Sequence, residues 1–318
     1  MIEAVAVIGP GRMGRQIALT CALGGCRVLL VDLKPRADAG AGLADARREI
    51  ARDLRLMAEE DVIKSAEVGP ALERIEERTE IAGLETCGFV QEALPESVDL
   101  KREVFGRLAG RIAPDAIVAS TSSTISPRHL ADAVRGPERF LVVHWLNPAH
   151  IIPLVEVVPG AATSATVVDR TVTFLTRLGK TPVRCADSPG FIVPRLQVLL
   201  MNEAVRLVEE GVAMPEEIDR AIRSGMGFRY ASVGVFEFID WGGIDILYRA
   251  SAFMRRATGD ERYRTPRLVE EKMERSELGP KTGRGFFDYA GETRERFETA
   301  KVRQLLRRLK REREDDAP

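Results

Sequence analysis

The chain has 318 residues, a formal net charge of −1 and a hydrophobic content of 45%. This length suffices for two domains with cores of their own, and the balanced charge gives no indication of a nucleic-acid-binding surface. No apolar run is long enough to span a membrane, and strand-forming residues begin at the N-terminus without a preceding signal peptide. The four cysteines lack the paired spacing of a metal site. We therefore expect a cytoplasmic protein with free thiols, no metal, and no membrane or nucleic-acid partner.

The first predicted elements are a strand, a glycine-rich turn, a helix and a second strand. Residues 5–8 are apolar, and residues 16–23 have helical character. Between them lie the glycines of a G-x-G-x-x-G pattern, namely Gly9, Gly11 and Gly14. The apolar strand 27–31 ends in Asp32. This order, with an acid about 20 residues after the glycines, is typical of a βαβ unit that binds a dinucleotide.

Each part of this unit has a physical role in binding. The first glycine permits a tight turn, the second lets the backbone approach a pyrophosphate, and the third lets the helix pack closely on the strand. The helix N-terminus offers free N–H groups to the phosphates. Asp32 can accept hydrogen bonds from both ribose hydroxyls and would repel a 2′-phosphate, which favours NAD over NADP. Lys34 and Arg36 follow closely and keep NADP open as an alternative.

The middle of the chain alternates between predicted helices and strands. A helical hairpin is predicted over about residues 37–80, with an interruption at Gly69 and Pro70, because apolar residues recur there at spacings of three and four. Beyond it we expect a helix over residues 99–112 and strands at residues 88–95, 116–120, 140–144 and 154–158. This alternation predicts an α/β fold with a doubly wound parallel sheet.

The pattern changes near residue 188, beyond which only helices are predicted. A long apolar-periodic helix is expected over residues 192–210, another over 215–223, and more to about residue 275. We predict a dinucleotide-binding domain, an all-helical domain and a charged tail, at residues 1–187, 188–291 and 292–318. The tail has an apolar stripe, which indicates either a helix packed on its own domain or a contact between subunits.

A second group of polar residues surrounds the predicted strand 140–144. His144 lies at the strand end, where ligands bind in doubly wound sheets, and Glu156 lies on the following strand. A histidine there can act as the general base for an alcohol, and a nearby carboxylate can orient its ring. By itself, such a histidine can also be a core residue that is hydrogen-bonded to the backbone.

Several motifs resemble those of the L-3-hydroxyacyl-CoA dehydrogenase family over nearly the whole chain. They are G-P-G-R-M-G at residues 9–14, P-E-S-V-D-L-K at 95–101, A-S-T-S-S at 119–123, H-W-L-N-P at 144–148, I-P-L-V-E-V-V at 152–158, P-G-F-I-V at 189–193 and G-P-K-T-G-R-G-F-F-D-Y at 279–289. The resemblance implies a Rossmann domain followed by a helical dimerisation domain, and therefore a homodimer. It also implies an NAD-dependent oxidoreductase that reversibly converts a secondary 3-hydroxyl group of a small molecule into a 3-keto group.

The resemblance also implies roles for individual residues. His144 would take the proton of the substrate hydroxyl, Glu156 would hold the His144 ring, and Ser123 would hydrogen-bond the substrate oxygen. Hydride would pass between the substrate and the nicotinamide, so the protein supplies the base and the geometry. The residues that would contact NAD are Gly9, Gly11, Arg12, Met13, Gly14, Asp32, Glu96, Lys101, Asn147 and Lys281.

Three departures from the family pattern concern the substrate. Pro194 stands where the family has a substrate-site asparagine, although a proline also suits the first turn of a helix. The hairpin tip carries three carboxylates, which would repel the phosphates of CoA, at Glu59, Glu60 and Asp61. Arg229 differs from the pattern of CoA-dependent members, and it can either bind a substrate carboxylate or form an ion pair between helices.

These departures leave two substrate classes open. One is a 3-hydroxyacyl-CoA, and the other is a small free 3-hydroxy carboxylate, as in the gulonate, carnitine and pyridine-carboxylate dehydrogenases that the chain also resembles. A third interpretation is a non-catalytic, crystallin-like nucleotide-binding protein. Only Pro194 favours it, whereas the set of His144, Glu156 and Ser123 argues against it.

Overall fold

The computed structural model describes residues 1–34 and 40–315. Arg36, the first residues of the predicted hairpin and residues 316–318 of the predicted tail lie outside the described residues. The chain divides into two compact units, Met1–Met201 and Asn202–Pro318. This division falls inside a helix, Val193–Glu209, and the domain limits at residues 187 and 291 stay a prediction.

The first unit is built around a sheet that has eight strands in the described residues. In chain order these are β1 (Ala4–Ile8), β2 (Arg27–Val31), β3 (Ile75–Arg78), β4 (Phe89–Glu92), β5 (Ile117–Ser120), β6 (Phe140–Trp145), β7 (Leu154–Pro159) and β8 (Thr181–Arg184). Their order across the sheet is β3-β2-β1-β4-β5-β6-β7-β8, and only β6 and β7 pair antiparallel. The strand order reverses between β1 and β4, which is where a doubly wound sheet forms its binding crevice. The predicted α/β class with a helical C-terminal region is confirmed.

Helices cover both faces of the sheet because successive residues of a strand point to opposite sides. The helices are α1 (Arg12–Leu23), α2 (Ala41–Glu59), α3 (Ser65–Glu73), α4 (Val98–Leu108), α5 (Ala165–Arg177) and α6 (Val193–Glu209), the last of which contains the division between the units. Val5 and Val7 of β1 belong to one core with residues of α1, α2 and α5, whereas Ala6 and Ile8 belong to a second core with residues of α4. The central strands β1 and β2 are nearly continuous apolar runs because both of their faces are buried.

The pairing of β6 with β7 differs from the wholly parallel sheet that the sequence predicts. Only residues 146–153 connect these two strands. A parallel pair needs a crossover of about a dozen residues or more, so this connection is too short for one. The strands are therefore antiparallel, and their register places His144 directly opposite Glu156.

The insertion after β2 also differs in detail from its prediction. The turn between α2 and α3 lies at residues 60–64, whereas Gly69 and Pro70 lie inside α3, which continues for three residues beyond the proline. Ile75–Arg78 is the edge strand β3 and not part of a hairpin. Its charged side chains resemble the exposed face of a helix in the sequence, and this is why the strand was missed.

The second unit is helical in its described residues. Its helices are α7 (Pro215–Ala221), α8 (Phe228–Tyr230), α9 (Val235–Gly242), α10 (Ile244–Thr258), α11 (Arg267–Glu274) and α12 (Arg294–Asp315), with a π-helical turn at Ile222–Gly227 before α8. The first half of α12 packs on its own unit, since the ring of Phe297 lies 5.0 Å from that of Tyr289 and Lys301 pairs with Glu237. Among the described residues, no helix combines the length and the apolar character needed to cross a membrane.

Candidate active site

The glycine-rich turn after β1 has the geometry that a pyrophosphate requires. Gly9 has a φ of +107°, which residues with a side chain rarely adopt. A Cβ on Gly14 would lie 1.8 Å from the carbonyl oxygen of Gly9, so only glycine lets α1 approach this turn. A Cβ on Gly11 would meet no atom within 4 Å. The second glycine therefore leaves open space in which a ligand can contact the backbone.

Helix α1 leaves its N-terminus available to an anion. Its first turn contains no acidic residue, and its N-cap residue, Gly11, has no side chain with which to bond the free N–H groups. The turn borders a cleft of about 390 Å³. The cleft brings together many of the predicted cofactor residues with Ser123, and its lining includes Gly9, Gly11, Arg12, Met13, Asp32, Lys34, Glu96, Thr121 and Ser123.

Asp32 follows β2 and lies beside this cleft. Its side chain is buried, and Oδ1 accepts a hydrogen bond from the backbone N–H of Lys34 at 3.1 Å. A carboxylate at this position can bind the two hydroxyls of the adenosine ribose and repels a 2′-phosphate. The glycine turn, the uncapped helix and the carboxylate together fit NAD.

A buried ion pair that the sequence analysis missed supports the loop after β4. Lys101 Nζ lies 2.7 Å from Glu92 Oε1, and neither side chain is exposed. Ser120 Oγ donates to Glu92 Oε2 at 2.5 Å, and Lys101 Nζ donates to the carbonyl oxygen of Leu94 at 3.2 Å. These bonds connect β4, β5 and α4. The ammonium of Lys101 is thus bonded to protein atoms, and its contact with NAD stays a prediction.

Glu96 organises the loop that carries Ser123. Its Oε1 accepts hydrogen bonds at 3.0 to 3.3 Å from the backbone N–H groups of Ser123, Thr124 and Ile125. Burial alone would raise the pKa of Glu96, but hydrogen bonds to this loop and the charge of Lys101 outweigh it and hold the pKa below its usual range. The ionised carboxylate therefore fixes the position of Ser123 at the cleft.

His144 and Glu156 form a buried, hydrogen-bonded pair between β6 and β7. His144 Nδ1 lies 2.7 Å from Glu156 Oε2. The other carboxylate oxygen accepts hydrogen bonds from the backbone N–H groups of Ile192 and Val193, each at 2.9 Å. Burial alone would raise the pKa of Glu156, but the bonds from His144 and the two N–H groups outweigh it and lower the pKa. Because Nδ1 is engaged, Nε2 is the ring nitrogen that can exchange a proton with a substrate.

The start of α6 explains how Pro194 is accommodated. The helix begins at Val193, so Pro194 lies in the first turn, where the N–H group that proline lacks is not needed. The two N–H groups that Glu156 requires come from the residues before the proline. Pro194 therefore leaves the pair of His144 and Glu156 intact.

Besides Gly14, Lys101, His144 and Glu156, three more predicted site residues are not among those that line the cleft. Asn147 is exposed in the turn after β6. Lys281 belongs to the second unit, where its ammonium pairs with Asp245. Arg229 also belongs to the second unit, and its guanidinium lies 4.1 Å from the centre of the Phe238 ring. Among the described residues Arg229 forms no ion pair with a carboxylate, and the functional roles of all three stay predictions.

Glu92 is the site residue that the sequence analysis missed. It ends the apolar strand β4, and a carboxylate in a buried strand requires a partner because an unpaired buried charge is very unfavourable. Lys101, nine residues later, is that partner. The signal in the sequence was therefore an acid inside an apolar run, followed by a lysine on the next helix.

Comparisons with known proteins identify one family over most of the chain. The family model described as 3-hydroxyacyl-CoA dehydrogenase, NAD binding domain, matches residues 4–188, and the model of the C-terminal domain matches residues 190–289. The two matches together end at residue 289, before the last helix, α12.

Individual relatives cover nearly the whole chain. The 3-hydroxybutyryl-CoA dehydrogenase of Bradyrhizobium diazoefficiens is 35% identical over 92% of this chain and 97% of its own length. The 5-formyl-3-hydroxy-2-methylpyridine 4-carboxylate 5-dehydrogenase of Mesorhizobium japonicum is 33% identical over 96% of this chain and 97% of its own length. The crystal structure of a 3-hydroxyacyl-CoA dehydrogenase from Archaeoglobus fulgidus has a TM-score of 0.78 at 32% identity, covering 96% of this chain and 99% of that one. This chain thus belongs to the 3-hydroxyacyl-CoA dehydrogenase family and is an NAD-dependent oxidoreductase that acts on a CH–OH group.

Proposed function

We propose that this chain reversibly oxidises the 3-hydroxyl group of a 3-hydroxyacyl-CoA to a 3-keto group. The observation that carries the proposal is the buried pair of His144 and Glu156, whose Nδ1 and Oε2 atoms lie 2.7 Å apart. The pair supplies a general base at the carboxyl edge of the sheet, where the NAD cleft also lies. Two relatives that cover more than nine-tenths of the chain, a 3-hydroxybutyryl-CoA dehydrogenase and a 3-hydroxyacyl-CoA dehydrogenase, support a CoA thioester as the substrate.

In the oxidising direction, His144 Nε2 takes the proton of the substrate hydroxyl group, and hydride leaves the carbon that carries this hydroxyl. NAD⁺, when bound, accepts that hydride. The backbone N–H groups of Ile192 and Val193 hold Glu156 ionised, so its carboxylate stabilises the positive charge that develops on the ring. In the reducing direction the protonated ring returns its proton to the substrate oxygen.

In this proposal Ser123 binds the substrate oxygen at which the proton moves. Its backbone is fixed by Glu96, and the residue lines the cleft. Thr121, in the same loop, accepts a hydrogen bond at 3.4 Å from the backbone N–H of Trp145, the residue after His144. This contact ties the loop of Ser123 to the strand of His144. In our proposal the Ser123 hydroxyl donates a hydrogen bond to the substrate oxygen.

The test is NADH formation by the purified full chain on matched substrates. L-3-hydroxybutyryl-CoA and free L-3-hydroxybutyrate carry the same reacting group and differ only in the thioester. We expect turnover of the thioester and little turnover of the free acid. Turnover of the free acid alone would overturn the assignment of the substrate class.

A small free hydroxy carboxylate is the second candidate, and Arg229 is the observation that favours it. Its guanidinium stacks on the Phe238 ring at 4.1 Å, and no carboxylate among the described residues pairs with it. An arginine held in this way can bind a substrate carboxylate through two parallel hydrogen bonds. In that case Arg229→Ala raises the KM of the free acid about tenfold or more while the KM of NAD stays unchanged. Arg229→Lys, which keeps the charge, is the matched control.

We further propose that the protein is a homodimer. None of the described side chains of α6 is buried, although the helix is rich in apolar residues. Leu199 and Val205 are 61% and 58% exposed, and an uncovered apolar face of this kind is unfavourable in water. A second copy of the chain would cover it. Light scattering should therefore report a dimer for the parent and a monomer for Leu199→Glu, whereas a monomeric parent would contradict the proposal.

A cytoplasmic location completes the proposal. All four cysteines are free thiols, and three of them are buried. A reducing compartment keeps cysteines in this state. Cell fractionation of the producing organism tests the location, and recovery in the membrane or the extracellular fraction would contradict it.

A further inference from the structure

The segment between β8 and α6 leads to the two N–H groups that hold Glu156, and its backbone is unusual. Gly190 has a φ of +73° and Phe191 a φ of +45°, so two consecutive residues are left-handed. Glycine adopts this conformation readily, whereas for a bulky side chain it is rare and strained. We call residues 187–191 the clip. The clip and all of its contacts described below belong to the first unit.

The left-handed turn at Phe191 brings the clip to both members of the proton-transfer pair. The Phe191 ring is buried, and its centre lies 5.9 Å from that of the His144 ring. The next two residues, Ile192 and Val193, direct their N–H groups at the same oxygen of Glu156, each at 2.9 Å. Successive N–H groups converge on one anion where the backbone turns sharply. The conformation of one residue thus bears on the imidazole ring and on the carboxylate together.

The first residue of the clip is held by the loop that carries Ser123. Asp187 Oδ2 accepts hydrogen bonds from Ser126 Oγ at 2.6 Å and from Arg128 Nε at 3.1 Å. The other oxygen, Asp187 Oδ1, is buried and has no hydrogen-bond partner among the described residues. The carboxylate therefore depends mainly on these two contacts for its stabilisation. They connect the loop at the cofactor cleft with the segment that orients the base.

The other side of the clip is held by Arg195, in the first turns of α6. Its guanidinium donates to the carbonyl oxygen of Pro189 at 2.8 and 3.1 Å and to Ser188 Oγ at 2.7 Å. Its backbone N–H donates to the carbonyl oxygen of Gly190 at 3.0 Å. A strained residue persists only where the surrounding contacts enforce its conformation, and such residues cluster at functional sites. Phe191 meets both conditions.

We propose that Phe191 is a positioning residue for the pair of His144 and Glu156. Its ring packs beside the imidazole, and its left-handed backbone directs the next two N–H groups at the carboxylate. The contacts of Asp187 and Arg195 hold it in this conformation, and none of these three residues exchanges a proton with the substrate. This proposal rests on the proposed function, in which His144 is the base.

Gly190→Ala tests the conformation without removing any side chain. The new Cβ would lie 3.3 Å from the backbone nitrogen of Arg195, at a φ of +73°, so the clip must shift. Gly179→Ala is the matched control, because its φ is +75°, its Cβ would meet no described atom within 4 Å, and it lies outside the clip. Both variants should lower the midpoint of thermal unfolding.

Only Gly190→Ala should lower the kcat for L-3-hydroxybutyryl-CoA, by about tenfold or more, since a small displacement of the base is costly. The Kd of NADH should stay within a few-fold of the parent in both variants. A parental kcat in Gly190→Ala, or an equal loss of kcat in Gly179→Ala, would overturn the proposal.

Two substitutions of Phe191 keep the test decisive if Gly190→Ala does not fold. Phe191→Asn loses the ring but tolerates the left-handed conformation, whereas Phe191→Val stays apolar but is β-branched and disfavours it. If the residue only filled a buried apolar space, valine would retain more activity than asparagine. We expect the opposite order of kcat. A higher kcat in Phe191→Val than in Phe191→Asn would contradict the positioning role.

Proton NMR separates failure of this proposal from failure of the proposed function. The chain has three histidines, so the ring signals of His144 can be assigned by comparison with His144→Gln. The Nδ1 proton that it shares with Glu156 needs no substrate, and such a strongly hydrogen-bonded proton gives a separate downfield signal. We expect this signal to be unchanged in Gly179→Ala and to shift or disappear in Gly190→Ala and Phe191→Val.

That result would support the clip even if no thioester were oxidised, in which case only the proposed function would fail. An unchanged signal in both clip variants would overturn the proposal, whatever their turnover.

Discussion

The carboxylate of Glu92 and the ammonium of Lys101 lie 2.7 Å apart, and both side chains are completely buried. The pair stands at the end of β4, where Ser120 and the Leu94 carbonyl complete its hydrogen bonds. Lys101 Nζ also lies 3.6 Å from Glu96, whose other oxygen holds the loop of Ser123. A buried charge pair thus positions the loop that faces the cofactor cleft.

We predict that removing one charge of this pair strongly lowers the free energy of unfolding. Removing both charges should lower it by less than the sum of the two single losses. Lys101→Met or Glu92→Gln alone leaves the other group without its partner and should lower the free energy of unfolding by about 3 to 5 kcal/mol. The double variant Glu92→Gln/Lys101→Met leaves no buried ionised group. Its loss should be clearly smaller than the sum of the two single losses in urea unfolding. Additive losses would show that the two groups do not depend on each other.

Substitutions of Gly14 and Gly11, at the start of α1, should separate effects on folding stability from effects on NAD binding. Gly14→Ala places a Cβ 1.8 Å from a backbone oxygen, so it should destabilise the first unit strongly. Gly11→Ala meets no protein atom within 4 Å, so the midpoint of thermal unfolding should stay near that of the parent. The new methyl group occupies the approach of the pyrophosphate, and NAD affinity should therefore fall. Unchanged NAD affinity in Gly11→Ala, measured by calorimetry, would contradict the assigned cofactor position.

Replacing the base should affect turnover more than binding. His144→Gln should lower kcat by about 100-fold or more, the range expected for a general base, while the Kd of NAD stays within a few-fold of the parent. Glu156→Gln keeps the shape but not the charge, so it should also lower kcat and shift the pH profile of kcat/KM. Steady-state kinetics over a range of pH measures both effects. Near-parental kcat in His144→Gln would remove this residue from the mechanism.

The lowered pKa of Glu156 predicts a pH dependence of stability. A carboxyl group with a lower pKa in the folded than in the unfolded chain stabilises the fold above its unfolded pKa of about 4.3. That contribution is lost as the pH falls through the lower, folded-state pKa. The free energy of unfolding should therefore fall more steeply below about pH 4 in the parent than in Glu156→Gln. Parallel pH profiles of the two proteins would show that the carboxylate is not the titrating group.

The cofactor unit could be predicted from sequence because its constraints are local. The strand, Gly9, Gly11, Gly14 and Asp32 lie within one continuous stretch of about 30 residues, and each position is restricted by the backbone or by the ligand. The same reasoning placed His144 at a strand end and Glu156 on the next strand. Their contact could not be read from the spacing, since it depends on the antiparallel register of β6 and β7.

The sequence does not predict correctly those elements that depend on contacts with residues distant in the chain. The strand β3 is short and charged, so only its pairing with β2 distinguishes it from a helix surface. The helix α3 continues through Pro70 because tertiary packing outweighs the local preference of the residue. The motif match makes Lys101 a predicted cofactor ligand. An acid in the apolar run of β4 indicates that Glu92 needs a partner, but only the fold identifies that partner as Lys101.

By itself the sequence determined the fold class, the NAD unit and the family, because periodicity, glycine spacing and motif order are properties of the chain. Tertiary structure decided which charges pair, which apolar faces remain exposed and which arginines lack a partner. The pair of Glu92 and Lys101 and the uncovered face of α6 are of this second kind. The physical reason is that the free energy of a charge or an apolar surface depends on what surrounds it in space, and residues distant in the chain supply those surroundings.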